Sequence, residues 1–502
     1  MAGEHAPQPQ IQSSSLLDCL KPLSRKKANA GAKTSSDPLH TTTANFGKTD
    51  IRLPAISSSQ RIETAVLKAS LAHASCGTVR PELMVSEGNI LESVDICGDA
   101  IFAKQAEMVR AAKKEVVIRT FAWDPSSPGA KMILDALLDA AHSAKERASS
   151  STGPHEPIRV RLLINEGTGL AQKFMRMTSA NKNRSAPKRW PSHAEALVGN
   201  YKKSQDHKYA PLTKDVDFQV RVHQHYSSNS IHAKSVIVDG CKAAMTGANV
   251  QSRNHGETPA YDFGISMSGR VALGLRDDFV SAWNNAENPD QETTPLSKEL
   301  GFSAESTTGA AGKGLKIALL TRRPDWNILN QNNRNPQDKA FLAAIGNAQE
   351  SIQVMTPNFN APSAIEALAQ AANRGVKVQI LVSKGFNDER VDNVIAGGTN
   401  DKAISKLAAL VKNKEFLDVR YFKNPMSPEK PVPHGNTNGN GASHAKFMSI
   451  DNTLVILGSA NMDKTSWHFS GEMNAALFDA GATRRIKSSV FDPAWEVSQA
   501  FS

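Results

Sequence analysis

Two spacings of apolar side chains alternate along most of this chain. Residues 101–112 (IFAKQAEMVRAA) repeat apolar positions every three or four residues, as one face of a helix does, whereas 116–121 (VVIRTF) form a short run suited to a buried strand. A helix over 130–144 and a strand over 158–164 follow. The same order returns as helix 339–348, strand 351–356, helix 364–373 and strand 376–382. Alternation predicts an α/β fold, and the repeated order predicts two copies of one domain.

Polar stretches mark the expected boundaries. Residues 1–60 are rich in Ser, Thr, Ala, Pro and Lys, too polar to offset the entropy of folding, and read as a disordered tail. Such a tail suits a non-cleaved export signal as well as a plain floppy terminus. Residues 81–286 then form the first domain, 287–314 a linker rich in Thr, Ser and Gly, and 315–502 the second domain. Two further stretches read as loops, the Lys- and Arg-rich 167–214 and the Pro-, Gly- and Asn-rich 425–443. Each precedes one of two chemically suggestive segments, so each is placed to rim a site.

Charge and cysteine content narrow the classes. The chain carries a formal net charge of +10, which favours polyanions such as phospholipid head groups or nucleic acid without choosing between them. Cys19, Cys76, Cys97 and Cys241 lie far apart, which argues against a zinc ribbon or dithiol motif. No apolar run reaches membrane-spanning length and no secretory signal pattern opens the chain, so a soluble or peripheral protein is expected.

Those segments are His232-Ala-Lys234, Asp239, Thr246-Gly247-Ala-Asn249, and His444-Ala-Lys446, Asp451, Gly458-Ser459-Ala-Asn461, with identical spacing between His, Lys, Asp and Asn. Residues two apart in extended chain share a face, so each His and Lys project together. Asp239-Gly240 and Asp451-Asn452 are turn-forming pairs, and the returning strands carry Asn249 and Asn461 back toward the start of each hairpin. Each half thus offers an imidazole, an ammonium and a carboxamide, and two such sets can surround a phosphate. One histidine attacks phosphorus, the other protonates the leaving oxygen, and the lysines and asparagines donate to the non-bridging oxygens. With cationic donors present no metal or other cofactor is required, and neither copy has a second histidine at metal-ligand spacing. His255 and His468 read as ordinary polar residues, Asp239 and Asp451 as structural, and Phe279/Trp283 with Phe491/Trp495 as duplicated core packing. Trp123, Asp124 and residues 357–359 follow the first strand of each half, where α/β folds often place sites.

The two segments resemble the paired HKD motifs of the phospholipase D superfamily. The second fits at every fixed position, whereas the first has Thr246-Gly247 in place of Gly-Gly or Gly-Ser. The family's N-x-D-x-R-S continuation here reads Asn461-Met-Asp463-Lys-Thr465-Ser466. The resemblance implies two α/β/α sandwich domains in a pseudo-twofold arrangement, with one active site at their interface in a monomer. It also implies a histidine-orienting acid in each half, Asp262 in the first and Glu472 in the second. His232 becomes the nucleophile and His444 the general acid.

The leading expectation is hydrolysis of a glycerophospholipid to phosphatidic acid and a free alcohol through a phosphohistidine, at a phospholipid membrane surface. A phosphatidyltransferase making cardiolipin or phosphatidylserine is the alternative. A metal-independent nuclease ranks lower, since the small family nucleases carry one motif per chain, and a dead membrane-binding module lower still. The polar tail also raises the expectation of a secreted effector.

Overall fold

The computed structural model describes residues 57–150, 156–167, 207–225, 229–286, 293–302, 314–325, 327, 329–386, 388, 397–435 and 441–501. Most of the expected tail, of the basic loop and of the linker lies outside these residues, as does part of the loop over 425–443.

Among the described residues fifteen strands are joined by continuous pairing. The first half contributes β1 (Val85–Ile96), β2 (Glu115–Thr120), β3 (Arg159–Gly167), β4 (Asp217–His225), β5 (Ser235–Val238), β6 (Lys242–Thr246) and β7 (Phe263–Ser268). The second contributes β8 (Leu315–Arg322), β9 (Ser351–Thr356), β10 (Lys377–Val382), β11 (Leu417–Tyr421), β12 (Phe447–Ile450), β13 (Leu454–Gly458), β14 (Glu472–Leu477) and the short β15 (Gln499–Ala500). Their order is β15-β11-β10-β9-β12-β13-β14-β8-β1-β7-β6-β5-β2-β3-β4. Apart from β15 the list mirrors itself about the β8–β1 junction, where Val85 pairs with Ala318 and Ser86 with Ile317. The mixed sheet flanked by helices is the expected fold class, and β1, pairing with both β7 and β8, joins the strands of the two halves.

The helices are α1 (Ser58–Leu71), α2 (Cys97–Arg110), α3 (Pro128–Ser149), α4 (Val271–Asn284), α5 (Pro336–Asn347), α6 (Pro362–Asn373), α7 (Asn400–Leu410), α8 (Lys464–His468) and α9 (Ala480–Val497). Alternate residues of the strands feed opposite faces. One face carries a core common to both halves, in which Phe279 and Trp283 of α4 and Val490 and Phe491 of α9 cover strands from each half. The other face has two cores, one under α2 and α3 and one under α1, α5, α6 and α7. The aromatic pairs stack at 5.9 Å (Phe279–Trp283) and 5.3 Å (Phe491–Trp495) between ring centres. An arginine covers each tryptophan, Arg221 over Trp283 and Arg420 over Trp495.

Capping sets the helix ends where apolar spacing does not. Ser127 accepts the Ala130 N–H and starts α3 at Pro128, ahead of the apolar stripe. The expected tail is corrected at its end, because Ser57 and Gln60 form a reciprocal capping box that begins α1 inside it. Ile62 and Val66 of this helix are buried in the second half's core, and Glu63 pairs with Lys316 at 2.8 Å.

Candidate active site

In each half a strand of the parallel set ends where the motif hairpin begins: β2 ends beside the start of β5, with Arg119 opposite Ser235, and β9 beside the start of β12, with Met355 opposite Phe447. His232-Ala-Lys234 and His444-Ala-Lys446 are the extended segments leading into β5 and β12. Asp239 and Asp451 lie at the far end of these hairpins, both with positive φ (50° and 49°). The Asp239 carboxylate accepts the N–H groups of Lys113, Lys114 and Glu115, each at 2.8 Å. Asp451 accepts those of Gln349, Glu350 and Ser351 at 2.8–2.9 Å. These acids clamp each hairpin to the strand beside it and stand away from the histidines.

The histidines meet through exchanged partners. His232 N–H donates to Gly471 O and Gly471 N–H to Ser230 O, both at 2.7 Å. In the mirror position His444 N–H donates to Tyr261 O at 2.7 Å and Tyr261 N–H to Ala442 O at 3.0 Å. Each histidine strand is therefore laced to the residue preceding the acid of the other half. His232 Nδ1 lies 3.1 Å from Glu472 Oε2, and His444 Nδ1 lies 2.8 Å from Asp262 Oδ2. The resemblance alone put Asp262 in the set of His232 and Glu472 in that of His444, and the lacing reverses both. A carboxylate can only accept, so Nδ1 carries the proton and each Nε2 keeps its lone pair.

Lys234 and Lys446 each donate to the carbonyl of their own histidine and are buried. Asn249 and Asn461 are buried, and the Oδ1 of each lacks a hydrogen-bond partner. Asn461 donates through Nδ2 to Asp463 at 2.9 Å.

The departure at Thr246-Gly247 has a local cause. Ser459 in the second half donates its hydroxyl to Glu472. Its counterpart Gly247 leaves that space to Asp262, since a Cβ there would lie 2.4 Å from Asp262 Oδ1. Gly458, with φ 152°, has no room for a side chain against Met473 O. The two acids consequently diverge. Burial raises Asp262 to about 6 against the pull of Lys446, the Phe263 N–H and Arg253. Glu472 feels the same burial but is held below its ordinary value by His232, Ser459 and Lys234. Burial lowers both histidines, His444 further because Lys446, Arg253 and Lys234 repel its charged form, while Glu472 favours charge on His232. Of the two rings His232 is the easier to protonate.

Other sequence candidates support the site from behind. Trp123 bridges to Val250 and Phe359 to Met462, fixing the turns that carry Asn249 and Asn461. Asn358 donates to Asp463, and Asp124 accepts from Ser126 and Ser252. His255 contacts Asp99 through Nδ1 and stacks on Phe102, and His468 is buried, lowered to about 4 by burial beside Arg322. Three contacts had no signal in the motifs: the edges of Phe121 against His232 (5.5 Å), Phe386 beside His444 (6.1 Å), and Arg253, whose charge bears on His444.

Fold and site together define a duplicated α/β protein with a single histidine–lysine centre at its pseudo-twofold junction. The family model described as cardiolipin synthase, PLD-like domain, matches residues 341–495. Cardiolipin synthase 2 of Staphylococcus epidermidis is 25% identical over 267 residues, 52% of this chain and 47% of that protein. A probable cardiolipin synthase of Bacillus subtilis is 26% identical over 269 residues, 51% of this chain and 44% of that protein. The match thus spans about half the length of these relatives. The solved phosphatidylserine synthase of Haemophilus influenzae shares the fold, with TM-score 0.55 and 14% identity over 89% of this chain and 92% of that one. Residues 341–495 of this chain thus match a PLD-like domain, and the wider chain is similar to proteins named cardiolipin synthases.

Proposed function

We propose that the protein is a phosphatidyltransferase that moves a phosphatidyl group from one phospholipid to the alcohol of an acceptor through a phosphohistidine. The observation that carries this reading is the exchanged pairing, which leaves two Nε2 lone pairs flanked by Lys234, Lys446, Asn249 and Asn461 in one buried site. One neutral imidazole attacks phosphorus and the head-group P–O bond breaks, with the other ring, which takes up a proton at Nε2 from solvent before the cycle begins, giving that proton to the leaving oxygen. The acceptor hydroxyl then returns a proton to that ring as its oxygen displaces the histidine. The buried ammonium groups stabilise charge on the non-bridging oxygens. Similarity to proteins named cardiolipin synthases, and a fold shared with a phosphatidylserine synthase, favour transfer over the hydrolysis ranked first from the motifs.

The resemblance gives attack to His232. The site's charges favour His444 instead, as it is held neutral more strongly while Glu472 supports a proton on His232.

A lipid substrate requires a peripheral encounter with a membrane surface. Among the described residues no helix is long and apolar enough to cross a membrane. The two most exposed large apolar side chains, Leu329 (80%) and Met426 (59%), follow β8 and β11 on the site's side of the sheet.

The test is product analysis on purified protein with phosphatidylglycerol vesicles, or single-stranded DNA, with and without EDTA. Cardiolipin and glycerol, unaffected by EDTA and reduced at least ~10²-fold in His232→Ala and His444→Ala, are expected. Phosphatidic acid alone would restore hydrolysis, DNA cleavage would make the site a nuclease, and no product would sink an enzymatic reading. Acid quenching and peptide mass analysis then shows whether His232 or His444 carries the phosphatidyl group.

A further inference from the structure

The two halves are copies, so the places where they differ inside the site separate its two sides. Two residues after the motif asparagine the first half has Gln251 and the second Asp463; four residues after it the first has Arg253 and the second Thr465. In the second half Asp463 caps α8, accepting Ser466 N–H at 2.8 Å, and also binds Asn461 and Asn358. In the first half Gln251 opens a single 3-10 turn over Ser252–Asn254, and Asn254 donates back to Asn249 O, so the turn is clamped against the motif asparagine. One side of the site thus has a guanidinium where the other has an uncharged hydroxyl, and lacks the carboxylate the other has.

Arg253 is not satisfied by its surroundings. Its Nε is buried with no hydrogen-bond partner. The carboxylate that bears on it, Asp262, is already engaged by the His444 ring at 2.8 Å and by Phe263 N–H at 2.9 Å. A guanidinium with a buried, unused donor costs stability unless an anion completes it, and its planar fork matches a phosphate. The donor phosphodiester already has two lysines.

We infer that Arg253 recognises a second anion, the phosphate of an acceptor alcohol such as another phospholipid, and so selects anionic over neutral acceptors on the Asn249 side of the site. This deepens the transfer reading above and rests on it. An acceptor that carries its own phosphodiester brings one negative charge to the half that has an excess cation, while the Asp463 side disfavours it.

The test keeps phosphatidylglycerol as donor and varies the acceptor. Full-length wild type, Arg253→Gln and Arg253→Lys are assayed with phosphatidylglycerol alone, for cardiolipin, and with added ethanol, for phosphatidylethanol. The ratio of cardiolipin to phosphatidylethanol is expected to fall about 10-fold or more in Arg253→Gln, the loss of a charge-assisted contact, and by less in Arg253→Lys. Equal losses with both acceptors would place Arg253 on the donor phosphate and overturn the inference. An unchanged ratio would overturn it equally. If wild type makes no lipid product, the transfer reading itself fails, and calorimetry with sn-glycerol 3-phosphate against glycerol still decides the role of Arg253. Binding of the phosphate ester that is lost in Arg253→Gln supports it, and binding that persists unchanged ends it.

Discussion

At the scale of single residues, the exchanged acids make a prediction that a same-half pairing does not. His444→Ala and Asp262→Asn should be strongly non-additive in kcat/KM, as should His232→Ala with Glu472→Gln, because each pair acts as one unit. The mismatched pairs, His232 with Asp262 and His444 with Glu472, should combine more nearly additively. The same variants read against pH separate the two acids. Burial pushes Asp262 up to about 6 against the pull of Lys446, the Phe263 N–H and Arg253, so the His444 set loses its carboxylate as pH falls through that value. Activity should therefore be present above pH 6 and decline below it, and Asp262→Asn should remove that limb from whatever rate remains. Nothing in the sequence distinguishes these pairings. In a duplicated chain, a histidine and an acid at matching positions look the same whether they meet within a half or across a sequence separation of 182, as His444 and Asp262 do.

At the scale of elements, what was legible depended on how local the cause was. The motif hairpins could be read because Asp239-Gly240 and Asp451-Asn452 announce their turns over a few residues. Strand β1 could not, since its half-buried, polar-rich sequence VSEGNILESVDI shows no clear run, and it is held by strands on both sides. Helix α1 was hidden in a polar composition because only Ile62, Val66 and Ser70 are buried along it. The aspartates of the hairpins show what the turns anchor. Asp451→Ala removes three charge-assisted hydrogen bonds from backbone N–H groups and puts an ordinary side chain at positive φ, so a loss of about 2–4 kcal/mol is expected by denaturant titration. Asp451→Asn, which tolerates that φ and keeps one acceptor oxygen, should lose less. A loss of activity without any loss of stability would instead move Asp451 into the chemistry.

At the scale of the whole molecule, β1 is the seam. It pairs with β7 of its own half and with β8 of the other, and both α4 and α9 cover the shared core on one face. Heating the full chain should give one transition, coincident by circular dichroism and tryptophan fluorescence. A fragment of residues 315–502 alone should self-associate on gel filtration through the uncovered edge of β8, and co-expression with 57–302 should return a one-to-one complex. Two well-separated transitions would contradict a common core. The mirror order of the strands also has a genetic side. In a symmetric homodimer every codon change appears on both sides of the shared centre, so neither side can be altered alone. Here the residues flanking the two motif asparagines are encoded separately and differ, Arg253 on one side and Asp463 on the other. A centre built from two like parts can in this way present different surroundings to the two faces of whatever it holds.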